Sequence, residues 1–311
     1  MKRLFFLFLV LCTISIPHGK SLSIDSIAKY SSILVRDSIL ENRQNAYLFL
    51  NDNLGKVLDE SFSDLSVNFP ELEGLSVLED SARSIRVITY QLYTDTSEYS
   101  YGGWIQAENL NRPVFLEDKS IVWEMDSDLD YMEFSPENWY GTLYYQILPV
   151  KIQGKRSIYA LFGFDNYHFY TKRKVIEFLV LDNGNVHFGS PLIEMEQNLP
   201  EEYRRSRFIL DYAVQAPATL RFDKEENKVI FDHLIIMKSN YSDQKVMRVP
   251  DGTYSGFSIN ENGVFSFIEK LYNQTMEEAP GGRDKKDTGL DPILGHSSDL
   301  KKRGSKKRGQ N

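Results

Sequence analysis

The chain has 311 residues, 44 Asp and Glu against 36 Lys and Arg, a formal net charge of −8, and one cysteine, Cys12. A single cysteine excludes a disulfide framework and leaves the body without a thiol for zinc ligation or catalysis. Residues 1–21 carry +3 and residues 280–311 carry +5, which leaves −16 on residues 22–279; a body this acidic argues against nucleic-acid binding.

The chain opens with Lys2 and Arg3 before an apolar run from Leu4 to Ile16, and Gly19 and Ser21 place small side chains at cleavage spacing. That is the pattern of an export signal over residues 1–21. The run is shorter than the roughly 20 residues a spanning helix needs, and bulky Leu11 argues against lipid attachment at Cys12. The mature chain is therefore expected in the periplasm or outside the cell, with no transmembrane span.

Ile24, Ala28, Val35, Ile39, Ala46 and Leu50 recur near i, i+3/i+4 spacing. This predicts a helical segment over 22–62, one bent helix or two short ones, with Gly55 as a stop. After Pro70 and Gly74 the period changes to two. In 85–93, Ile85, Val87 and Thr89 alternate with Arg86, Ile88 and Tyr90, and Gly102 and Gly103 are expected to break the next strand. Turn chemistry at 153–155, 182–185, 224–227 and 262–263 predicts four further hairpins.

The run Val175 to Leu181 is apolar on both faces apart from Glu177, so it should lie between two layers. Together these signals predict a mainly β protein with an N-terminal helical segment. An antiparallel meander over 84–272 would form a sandwich or a barrel, with a small β-propeller as the alternative. From 277 the periodicity is lost and KKRGSKKRGQN ends the chain, which predicts a disordered basic tail over 277–311 able to contact an anionic surface.

The segments SIRVITYQLYTDTSEYSYGGWIQ, WYGTLYYQILPVKIQGKRSIYALFGFD, TKRKVIEFLVLDNGNVHFGSPLI and FILDYAVQAPATLRFDKEENKVIFDHLI resemble a group of uncharacterised exported proteins of Bacteroidetes. The resemblance spans about residues 84 to 260. It implies export and a β-rich fold, and it carries no activity or site residues.

No GxGxxG, P-loop, HExxH or GxSxG stands in the chain, which argues against nucleotide chemistry. His168, His187 and His233 fall on separate predicted strands or turns, and alternation sends Asp232 and His233 to opposite faces. Asp165 and His168 share a turn in which Asp165 suits turn formation. Six carboxylates fall between Glu124 and Glu137. Asp126, Asp128 and Asp130 take the first, third and fifth places of an EF-hand loop with Glu137 at the twelfth, but Tyr131 stands where glycine is needed. Calcium on Asp126, Asp128 and Asp130 would need a loop of a kind other than the EF-hand, and no other cofactor is expected.

Forty residues are aromatic. Most suit a sheet core, but Tyr99, Tyr101 and Trp104, and Trp139, Tyr140, Tyr144 and Tyr145, cluster around the acidic stretch. Flat rings beside carboxylates suit a sugar, with hydroxyls donating to Asp or Glu. The expected function is non-catalytic recognition of a glycan or an envelope protein through Tyr101, Trp104, Trp139, Tyr140 and Tyr145. The alternative is a secreted hydrolase of a cell-wall or extracellular polymer working through paired carboxylates.

Overall fold

The computed structural model describes residues 22–95, 98–123, 128–153, 156–239 and 246–271. The expected export signal, Cys12 and the basic tail lie outside the described residues. Two helices come first, α1 (Ile24–Arg36) and α2 (Leu40–Ser61). They separate where the Asp37 carboxylate accepts a hydrogen bond from the Ile39 backbone N–H at 2.8 Å. Ile27, Ser31 and Leu34 of α1, and Ala46, Leu50, Leu54, Val57 and Leu58 of α2, are buried. This is the one-face spacing of an amphipathic helix.

Strands β1 (Ser76–Glu79), β2 (Ile85–Asp95), β3 (Glu98–Ala107) and β4 (Val114–Glu117) form a first antiparallel sheet in that order. The remaining strands are β5 (Leu143–Gln153), β6 (Arg156–Asp165), β7 (Thr171–Asp182), β8 (Asn185–Phe188), β9 (Ile193–Glu194), β10 (Arg207–Ala213), β11 (Leu220–Asp223), β12 (Lys228–Lys238), β13 (Val246–Ile259) and β14 (Phe265–Ile268). A second sheet runs β10-β7-β6-β5 with β8 paired to β7, and a third runs β11-β12-β13-β14-β9. All pairings within these sheets are antiparallel except the short β14–β9 pair.

Three cores hold the layers together. On one face of β2, Ile88, Tyr90 and Leu92 pack under the helices. On the opposite face, Ile85 and Val87 join Tyr159, Leu161, Val175 and Leu179 of the second sheet. The far side of that sheet, with Ile158, Phe162, Ile176, Phe178 and Val180, packs on Val229, Phe231, Phe257 and Phe265 of the third. The protein is thus a layered β-sandwich capped by helices, and among the described residues no sheet closes into a barrel. The two-faced run Val175 to Leu181 lies in the middle layer, as its composition predicts. Each large side chain buried there contributes about 1.5–3 kcal/mol.

Three glycines read as breaks lie inside elements instead. Helix α2 runs through Gly55, where a Cβ would stand 2.2 Å from the Trp104 ring. Strand β3 runs through Gly102, where a Cβ would stand 2.3 Å from the Tyr90 ring, and through Gly103, where it would meet Leu116 at 2.9 Å. In each the missing side chain makes room for a neighbour. Among the described residues no helix is long and apolar enough to cross a membrane.

Candidate functional site

The expected aromatic surface divides into a buried part and an open part. Tyr101, Trp139 and Tyr140 are 1%, 0% and 0% exposed and belong to the core between the first and second sheets. This corrects the expectation that they stack on a ligand, because both sheets cover them. Each has a polar partner inside. The Tyr101 and Tyr140 hydroxyls donate to the two oxygens of Asp165 at 2.9 and 2.7 Å, and the Trp139 indole N–H donates to the Tyr144 hydroxyl at 2.8 Å. Burial, with the Asp165 carboxylate adjacent, pushes the Tyr101 and Tyr140 hydroxyls well above the ordinary tyrosine pKa. Tyr145 is partly open, but its hydroxyl donates to the Leu220 carbonyl at 2.6 Å and Lys174 Nζ sits 4.6 Å from its ring centre.

Trp104 is the remaining candidate, and it lies at a cleft. Alternation along β3 turns it toward α2, away from Tyr101, and its ring lies against Gly55. Phe115 of β4 packs beside it with ring centres 5.1 Å apart. These two rings line an open cleft of about 570 Å³ together with Asp52, Asp59, Glu117 and Glu137. The basic side chains Lys56 and Arg112 complete its charged rim. The four carboxylates are exposed, and Glu117 is ion-paired with Lys119. Chemically the cleft offers apolar ring surface, acceptors for hydroxyl hydrogen bonds and two cationic donors.

Of these residues, Trp104 and Glu137 belong to the stretch that the sequence singles out. Asp52, Lys56 and Asp59 have the i, i+4, i+7 spacing of one helix face, a signal that would have placed them together beside Gly55. Phe115 and Glu117 carry no comparable mark, because pairing of β4 with β3 brings them in, and Arg112 lies just before that strand.

Asp126 lies outside the described residues, Asp128 is exposed, and Asp130 is ion-paired to Arg205 at 2.7 Å. Burial raises the Asp130 carboxyl while Arg205 and Arg207 pull it down. Among the described residues no three His, Cys, Asp or Glu side chains group as metal ligands. The histidines stay apart as expected. His233 Nδ1 lies 2.9 Å from Asp251 Oδ2, while buried Asp232 accepts from the Thr219 N–H and hydroxyl at 2.6 and 2.8 Å. Asp165 also accepts from the Tyr167 N–H at 2.9 Å, which is the expected turn. Asp165 and His168 both line a smaller concavity of about 370 Å³ with Tyr99 and Ser120.

No protein-family model, curated protein or solved structure matches the chain.

Proposed function

We propose that the protein is an exported, non-catalytic binding protein that holds a hydroxyl-rich glycan in the Trp104 cleft. The observation that carries this reading is that Trp104 and Phe115 line the same cleft as Asp52, Asp59, Glu117 and Glu137. Sugar rings present apolar faces and hydroxyl edges, and this cleft supplies a counterpart for each. Export rests on the pattern of Lys2, Arg3, the run Leu4 to Ile16, Gly19 and Ser21. The absence of catalysis rests on exposure. Paired-carboxylate hydrolysis needs one carboxyl shielded enough to stay protonated, and all four carboxylates of the cleft are open to water.

The test is a titration of the chain with soluble cello-, xylo- and chito-oligosaccharides, followed by tryptophan fluorescence, with released sugars assayed in the same samples. The expected result is saturable binding without product, weakened about tenfold or more by Phe115→Ala and by Glu137→Gln, the loss that central contacts give. Release of shorter sugars would instead establish a hydrolase. Absence of binding to every oligosaccharide would turn the reading toward an envelope protein as partner.

A further inference from the structure

A separate cavity of about 400 Å³ opens where the β5–β6 hairpin meets the turn between β13 and β14. Lys151, Arg156, Ser190, Glu201, Arg204 and Asn260 are among the residues that line it. The turn is fixed by Gly263, whose φ is +79° and at which a Cβ would stand 2.6 Å from Val150 Cγ1. Asn260 Oδ1 holds it from within, accepting from the N–H groups of Asn262 and Val264 at 2.9 and 3.0 Å.

The charge of this lining runs against the charge of the molecule. Residues 22–279 carry −16, yet three cations line this cavity beside one carboxylate, Glu201. Among the described residues, no carboxylate lies within ion-pair distance of Lys151 or Arg156. Arg204 is anchored by its Nε to the Leu199 carbonyl at 3.2 Å, and its nearest ion-pair contact is a long one, 3.9 Å to Glu194. Buried Ser190 adds a hydroxyl that makes no hydrogen bond to another described residue. Three cations held together with one carboxylate among them are left in excess and repel one another, and an anion among them relieves that repulsion. Two guanidinium forks match the paired oxygens of a carboxylate, sulfate or phosphate.

We infer that this cavity is a binding site for a small oxyanionic ligand, a carboxylate, sulfate or phosphate on a body of about monosaccharide size, with Arg156, Arg204 and Lys151 as its anion-binding groups. Glu201 is the repulsive element that limits affinity and excludes anions that cannot reach both arginines. The site is independent of the Trp104 cleft and stands or falls separately from it.

Calorimetric titration of the full chain at low salt tests the site with inorganic phosphate, sulfate and glucuronate, and with uncharged glucose as the control. At least one of the three anions is expected to bind, more weakly as salt is raised. Binding should fall about tenfold or more in the double variant Lys151→Ala, Arg156→Ala and tighten in Glu201→Gln. Preference for glucuronate over phosphate and sulfate would identify an acidic sugar as the source of the anion, and the reverse a phosphate or sulfate group. The site is overturned if no anion binds better than glucose, or if binding survives the double variant. Should the double variant fail to fold, Glu201→Gln decides, because unchanged affinity there removes Glu201 and its cavity from the binding event.

Discussion

Glu177 and Arg207 form an ion pair in the interior with neither side chain open to water. Arg207 also donates to the Leu129 carbonyl at 2.8 Å and lies over the Phe134 ring, and the second Glu177 oxygen accepts from the Tyr144 hydroxyl. A buried charge that loses its partner costs about 3–5 kcal/mol, whereas replacing both partners by apolar groups is far milder. Arg207→Met is therefore expected to lower stability by about 3–5 kcal/mol, and adding Glu177→Leu to recover a large part of it. Urea denaturation of the two variants against the parent chain checks both statements.

The Asp165 carboxylate gives a second, separable prediction. Tyr101→Phe removes a hydrogen bond to the charged Asp165 and the acceptor of the Asn166 N–H, and Tyr140→Phe removes one to the same carboxylate and the acceptor of Arg173 Nη1, with an expected loss of at least about 1.5–3 kcal/mol apiece. Because both hydroxyls serve one carboxylate, their effects should not add. Comparing the double variant with the sum of the single ones measures that coupling.

Alkaline pH should weaken the fold through its tyrosines. Burial pushes Tyr47 and Tyr212 up to about 12 and raises Tyr101, Tyr140 and Tyr144 well above the ordinary value of 10. The unfolded chain releases these protons near pH 10 while the folded chain keeps them. Their contribution to stability is therefore fully present below about pH 10 and declines as pH rises toward the folded pKa values. Ultraviolet titration should show an early phase from exposed tyrosines and a late, cooperative phase that coincides with loss of the near-ultraviolet dichroism.

Gly55→Ala separates helix propensity from packing. In an open helix the change would stabilise by about 1 kcal/mol. Here the new methyl would stand 2.2 Å from Trp104, and overpacking of that kind costs about 1–3 kcal/mol. The expected outcome is a lower melting temperature and altered tryptophan emission, with recovery in Gly55→Ala combined with Trp104→Leu. A rise in melting temperature would mean that the ring does not lie against the helix.

The fold was legible where burial leaves a pattern in one strand. Val175 to Leu181 lacks alternation because it is covered twice, and the alternation of Ile85 to Tyr90 separates the two faces of β2, of which the one with Ile88 and Tyr90 meets the helices. Glu177 gave no such reading, because its partner Arg207 is thirty positions away and nothing local marks the pair. The glycines misled because their purpose is tertiary: Gly55 and Gly102 yield to Trp104 and Tyr90, which no turn rule contains. Of the aromatic residues expected at the site, Trp104 lines the cleft, whereas Tyr101, Trp139 and Tyr140 are buried. Tyr101 and Trp104 are an odd number of residues apart on one strand, so they face opposite sides. Which of those sides a second layer covers is decided by strands far along the chain.

The pairing of Ile193 and Glu194 with Phe265 and Ser266 has a consequence for how the protein is made. Its two halves leave the ribosome about 70 residues apart, and a contact so distant in sequence forms late. Until β11 to β14 have followed, Ile176, Phe178 and Val180 have nothing to pack against on their side of the middle sheet. From the synthesis of Val180 until that of Phe265 the nascent chain thus carries a bare apolar face, the kind of surface that aggregates unless a chaperone holds it. A chain truncated before β14 is expected to be recovered bound to such a holder or in the insoluble fraction.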